Sequence, residues 1–146
     1  MKKIFVLALA AFFSAGAYAH HVSISEKALK AFHETFTAAE EVTWHEQGDD
    51  YSVHFLQADI RYIVHYDQQG KIIGAMRFYK PAHLPMNILA EITRLYSNKK
   101  LAGVTEITAG DNVAYFVKME DSKYWLTVKF TPYGDSEVYE KFKKQL

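Results

Sequence analysis

The chain has 146 residues, with 17 basic and 17 acidic side chains and no cysteine. Disulfide frameworks and thiolate chemistry are excluded, and the balanced charge gives no electrostatic footprint for nucleic acid. Ten Tyr, ten Phe and two Trp supply large apolar areas for a core that must hold by packing alone.

Met1-Lys2-Lys3 is a short positive start, Ile4 to Phe13 is almost purely apolar, and Ala17-Tyr18-Ala19 has the small-x-small pattern read by signal peptidase. The apolar run falls short of the ~20 residues that span a bilayer. The expectation is a signal peptide over residues 1–19, cleavage before His20, and a periplasmic or extracellular protein with no transmembrane segment in the mature chain. No cysteine follows the apolar run, which excludes a lipoprotein anchor. Losing Lys2 and Lys3 leaves a slight acidic excess.

Ser23 to Thr37 reads as a helix. Ser23 or Ser25 can cap it, Glu26 stands three residues after Ser23 as in a capping box, and Ala28, Leu29, Phe32 and Phe36 recur at helical spacing. Val42 to His45, Tyr51 to Leu56, Arg61 to Tyr66 and Lys71 to Tyr79 read as strands. Turns at Gln47–Asp50, Gln57–Ile60 and Asp67–Gly70 separate them.

Pro81 and Pro85 mark a linker. Beyond it Ile88, Leu89, Ile92 and Tyr96 give a second helix, and Val104 to Thr108, Val113 to Met119, Tyr124 to Phe130 and Glu137 to Phe142 give further strands. Leu29 and Leu89, Phe32 and Ile92, and Phe36 and Tyr96 keep one spacing. Tyr51 and Tyr115, Val53 and Val117, and Gly70 and Gly134 keep another. The fold class expected is therefore α+β: a tandem repeat of a helix plus a four-stranded antiparallel meander, residues 20–80 and 81–146. The two meanders are expected to form one curved sheet with the helices on one face.

Turn geometry fixes register. With Ala58-Asp59 at the turn centre, Phe55 faces Tyr62, Val53 faces Val64 and Tyr51 faces Tyr66; with Gly48-Asp49, Trp44 lies beside Val53. This is the face that Leu29, Phe32 and Phe36 cover. Tyr115, Val117 and Met119 pair in the same way with Leu126, Val128 and Phe130. The opposite face carries His45, Ser52, His54, Leu56, Arg61, Ile63 and His65 in the first half. In the second half it carries Phe116, Lys118, Trp125, Thr127 and Lys129. Such a mixture of apolar, aromatic and cationic groups has the composition of a contact surface. Arg61, Ile63, Phe116, Lys118, Trp125 and Lys129 are its candidate partner-binding residues.

Ala28-Leu29-Lys30-Ala31-Phe32-His33-Glu34-Thr35-Phe36, then Ala39 to Trp44, Tyr51 to Phe55 and Tyr62 to Lys71, resemble the PepSY-like, β-lactamase-inhibitor-like (BLIP-like) periplasmic proteins of Bacteroidetes. The likeness covers nearly all of the chain after residue 19. It is clearest in the helix, the Val42-Thr43-Trp44 segment and the Tyr66-Asp67-Gln68-Gln69-Gly70 turn. The second half departs from the pattern, with Glu106 or Ile107 where the Trp would stand and Thr131 in place of Asp67. The resemblance implies a non-enzymatic protein with an open sheet face, and it carries over no catalytic residue.

No Gly-rich phosphate loop, G-x-S-x-G or H-E-x-x-H is present. Ser52 lies between His45 and His65, but a serine in a regular strand has neither the exposed elbow nor the oxyanion hole of a hydrolase. The function expected is a secreted, non-enzymatic binding or protein-interaction module, with an unidentified protein or peptide of the cell envelope as partner and no cofactor. The alternative is a small-ligand or metal carrier, in which His45, His54 and His65 hold Zn²⁺ or Cu²⁺ and His20 and His21 add a weaker site.

Overall fold

The computed structural model of the protein describes residues 23–145. The expected signal segment, its cleavage point and the His20-His21 pair lie outside the described residues. In chain order come helix α1 (Glu26–Thr35) and strands β1 (Glu40–Gln47), β2 (Asp50–Gln57), β3 (Ile60–Tyr66) and β4 (Ile72–Tyr79). A 3-10 turn (Pro81–His83) and helix α2 (Met86–Leu95) follow, then β5 (Lys100–Ala109), β6 (Asn112–Glu120), β7 (Tyr124–Phe130) and β8 (Ser136–Lys143).

Each helix end has a local cause. The Ser25 hydroxyl accepts from the Ala28 amide at 3.2 Å and caps α1. Ser23 has a different role, its amide donating to Glu46 Oε1 at 2.7 Å. The capping box expected from Ser23 and Glu26 therefore does not form: the helix begins at Glu26, beside its cap. Pro85, with φ held near the value a helix entry needs, precedes α2.

All eight strands form one antiparallel sheet in the order β1-β2-β3-β4-β5-β6-β7-β8. This corrects the expected tandem of two helix-plus-meander units. The described residues are sheet-dominated, 53% strand against 19% helix. The strands do form one sheet, as expected, with β4 and β5 paired in an unbroken antiparallel register from Gly74–Ala109 to Tyr79–Val104. Pro81 and Pro85 lie in the connection between β4 and β5. They interrupt the chain only above the sheet: the 3-10 turn and α2 rise out of the layer, and β5 returns beside β4.

Both helices pack on the same face. Ala28 and Phe32 of α1 lie on Val53, Phe55, Val64 and Tyr66. Ile88 and Ile92 of α2 lie on Val104, Val117, Met119, Val128 and Phe130. Each large side chain buried in this way contributes roughly 1.5–3 kcal/mol before entropy. Between the two apolar clusters runs a polar seam. Arg77 donates from Nε to Glu106 Oε1 at 3.0 Å and from Nη2 to Glu106 Oε2 at 2.5 Å. The Tyr79 hydroxyl donates to the same carboxylate at 2.7 Å. Burial, then the bond to Glu106, raises the Tyr79 hydroxyl above the ordinary tyrosine pKa. The buried Glu106 carboxylate thus exchanges hydration for three donated bonds, which is what its burial requires.

The Tyr66 hydroxyl is buried and meets no hydrogen-bond partner among the described residues. Burial pushes its pKa from 10.0 up to about 12. Between those two values the unfolded chain releases a proton that the folded chain retains, so the titration of Tyr66 lowers stability as pH rises through that window and has no effect below it, where only the desolvation of the unpartnered hydroxyl counts. Tyr66→Phe is expected to leave stability at pH 7 unchanged or raise it by up to about 1 kcal/mol, and to flatten the alkaline fall. Urea melts of both proteins at pH 7 and pH 11 check this; a loss above about 1 kcal/mol at pH 7 would contradict it.

Candidate binding face

Among the described residues no helix covers the side of the sheet away from α1 and α2. The hairpin registers assign its residues. Ser52 pairs with both His45 and His65, His54 with Ile63, and Leu56 with Arg61. Phe116 pairs with Lys129 and Lys118 with Thr127. Direct cross-strand partners share a face, so all six candidate partner residues lie on this one.

Arg61 and Lys118 are exposed, and neither makes an ion pair among the described residues. Ile63 is half-buried. Phe116 is half-buried too, its ring meeting Tyr139 edge to face at 5.0 Å between centroids. Trp125 is 45% exposed, with Lys144 Nζ 4.4 Å from its ring centre. Lys129 Nζ lies 3.0 Å from Glu137 Oε1, an exposed pair of the kind that stabilises little.

Arg61, Phe116 and Lys129 fall in a single cross-strand row. Arg61 faces Phe78, Phe78 faces Thr105, Thr105 faces Phe116, and Phe116 faces Lys129. Ile63 starts the adjacent row, through Met76 and Ile107 to Ala114. Shallow hollows open on the face. One of about 540 Å³ is lined by His54, Leu56, Asp59, Arg61, Ile63 and Phe78. Another, about 220 Å³, is lined by Lys118, Trp125, Leu126, Thr127, Glu140 and Phe142. Phe78, Met76, Thr105, Ile107, Tyr139 and Phe142 were missed by sequence reasoning. Alternation within Lys71 to Tyr79 was the available signal for Met76 and Phe78, because it sets them opposite Arg77 and Tyr79.

The histidines form a different kind of cluster. The rings of His45 and His54 lie 4.6 Å apart. Burial first, then the neighbouring imidazoles of His45 and His65, lowers the pKa of His54 from 6.5. The three rings do not converge on one point: among the described residues no group of three His, Asp or Glu is placed to hold a metal ion. Ser52, between them, is fully buried, and its Oγ has no hydrogen-bond partner among the described residues. A hydroxyl closed off in this way is not a nucleophile that a substrate can reach.

Both edges of the sheet are blunted. β1 is bulged between Glu40 and Thr43, with Glu41 at φ 53. β8 is exposed throughout, bears Glu137, Glu140, Lys141 and Lys143, and is bulged opposite Thr127 and Val128. Bulges and charges on edge strands oppose the addition of another strand. The broad face, more than either margin, is what this sheet offers to another molecule.

The architecture matches solved structures over most of its length. A BLIP-like protein from Bacteroides fragilis NCTC 9343 superposes with a TM-score of 0.64, covering 85% of this chain and 89% of that one at 15% identity. The fold is the BLIP-like one. A DUF2874 family protein from Bacteroides uniformis ATCC 8492 matches with a TM-score of 0.61 at 17% identity, covering 83% and 90% of the two chains. A candidate periplasmic protein of Bacteroides eggerthii DSM 20697 has the same TM-score, 0.61, at 13% identity over 83% and 89%. The sequence matches no family model and no curated protein. Identities this low make the BLIP-like likeness one of fold. Among the described residues no helix is long and apolar enough to cross a membrane.

Proposed function

We propose that the protein is a non-enzymatic binding module, secreted to the periplasm or beyond, that takes a protein or peptide partner on its open sheet face. The observation that carries this reading is the bare face itself. Trp125 and Phe142 stand exposed there, Phe78 and Phe116 are half-buried, and Arg61 and Lys118 add unpaired positive charge. Aromatic and arginine side chains in such settings supply most of the binding free energy at known interfaces. The structural likeness to the candidate periplasmic protein of Bacteroides eggerthii and the signal-like start of the sequence support the compartment.

A photo-crosslinking residue at Ile63 gives a direct test in the intact cell envelope. Wild-type protein is expected to form discrete adducts. Phe116→Ala with Trp125→Ala is expected to remove them while the protein still melts cooperatively, because neither side chain belongs to the buried clusters under the helices. Adducts that persist unchanged in the double variant would refute the reading.

A further inference from the structure

We propose that the open face holds a slot for an extended peptide segment that bears an acidic group at each end and two large apolar side chains between. This rests on the reading of the face as a contact surface and names the chemistry of its occupant. The slot is the row Arg61–Phe78–Thr105–Phe116–Lys129, which runs across β3 to β7. It has a cation at each end, a phenylalanine inside each cation and a threonine at the centre. None of the five is a carboxylate; the register continues to Glu137 beyond Lys129, and through Leu56 to Glu40 beyond Arg61.

Spacing defines the ligand. Neighbouring strands lie ~4.8 Å apart, so four steps separate the Arg61 and Lys129 backbones by ~19 Å. An extended chain rises ~3.3 Å per residue and points alternate side chains to one side. Acidic groups six positions apart therefore reach both cations, and the two sheet-facing residues between them fall near Phe78 and Phe116. Ile63 and Met76, in the adjacent row, widen the apolar floor.

The charges at each end are open to such a ligand. Arg61 is exposed; Asp59 and Glu41 line the hollows beside it but form no ion pair with it. Among the described residues Lys129 pairs with the exposed Glu137 alone, a weak pairing that a second carboxylate can share or replace. The bulged edges favour a segment that crosses the strands over one that extends the sheet.

The probe is a fluorescein-labelled seven-residue peptide with glutamate at its first and seventh positions, leucine at the third and fifth, and serine elsewhere. Its control has lysine at both ends. Anisotropy with the purified protein is expected to show the glutamate peptide binding at least tenfold more tightly than the control, and more weakly at 200 mM than at 50 mM salt. Arg61→Glu with Lys129→Glu is expected to invert the preference. Both positions are solvent-facing, and if that variant fails to fold, the wild-type discrimination between the two peptides decides alone. Equal binding of both peptides, or none at millimolar concentration, overturns the slot. So does self-association of the protein alone that is lost on Phe78→Ala, which would make a second copy the occupant. If the peptides fail while the envelope adducts still depend on Phe116 and Trp125, the slot falls and the contact face stands. If neither responds, both fall.

Discussion

Phe32→Ala is expected to destabilise the protein by about 3–5 kcal/mol, the range for removing a fully buried aromatic ring. Phe32 is 1% exposed. Its ring lies 5.1 Å from Phe55, 5.4 Å from Trp44 and 5.6 Å from Phe36, centroid to centroid, so its loss leaves a cavity bounded by other rings. A ten-residue helix such as α1 does not persist in water by propensity alone, so packing of this kind holds it on the sheet. Against a total stability of roughly 5–15 kcal/mol, the loss is large enough to bring the midpoint of a urea melt down sharply. A change below about 1 kcal/mol would mean that α1 does not cover β2 and β3 in the way described.

Gly70→Ala is expected to cost about 2–4 kcal/mol, and more than Gly134→Ala. Both glycines are left-handed, at φ +82 and +96. Each substitution therefore carries the strain of roughly 1–2 kcal/mol that an L side chain meets in that region. What differs is the neighbour. A Cβ on Gly70 would stand 2.6 Å from the Lys27 carbonyl oxygen and 2.8 Å from its carbon, both backbone atoms of α1. A Cβ on Gly134 would meet only Glu91 Cγ, at 3.2 Å, on a side chain free to turn aside. The turn at Gly70 is also tied to α1, with the Ser25 hydroxyl donating to the Gln68 carbonyl at 3.1 Å and Lys27 Nζ donating to Gln69 Oε1. Parallel denaturation of the two variants checks the ranking, and a larger loss at Gly134 would reverse the assignment of the tighter turn.

How far the sequence could be read depended on the length of each connection. The β2–β3 register followed from Ala58-Asp59, whose two left-handed residues, at φ 50 and 62, close a tight hairpin. That placed Arg61 and Ile63 on the open side and Val53 and Val64 beneath α1. In the second half, alternation along β6 and β7, set by analogy with the first, gave Phe116, Lys118 and Lys129. No tight turn joins β4 to β5, so nothing local set their relative register, and the row linking Arg61 through Phe78 and Thr105 to Phe116 stayed hidden. Bulges concealed more. An extra residue shifts the two-residue alternation by one, and β7–β8 has such a shift beside Tyr139, which as a result meets Phe116. Glu106 was noticed only as a departure from the first half; its charge gave no sign that it would be buried against Arg77 and Tyr79. The tandem-repeat reading gave the two helices more weight than they have, because matched spacings between two stretches of sequence do not reveal that one continuous eight-stranded layer dominates the fold.

The strand order also bears on how the chain acquires its shape. Every strand pairs with its neighbours in sequence, and six of the seven pairings close across short turns. Only β4–β5 must wait for the intervening stretch of residues 80–99 to loop back. Closing a loop of that length adds little entropy relative to a short turn, so the sheet has a low contact order for a protein so rich in strand, and rapid acquisition of the native state follows from that topology. Hairpins β2–β3 and β6–β7 each close on local sequence alone, whereas the β4–β5 pairing joins strands separated by residues 80–99.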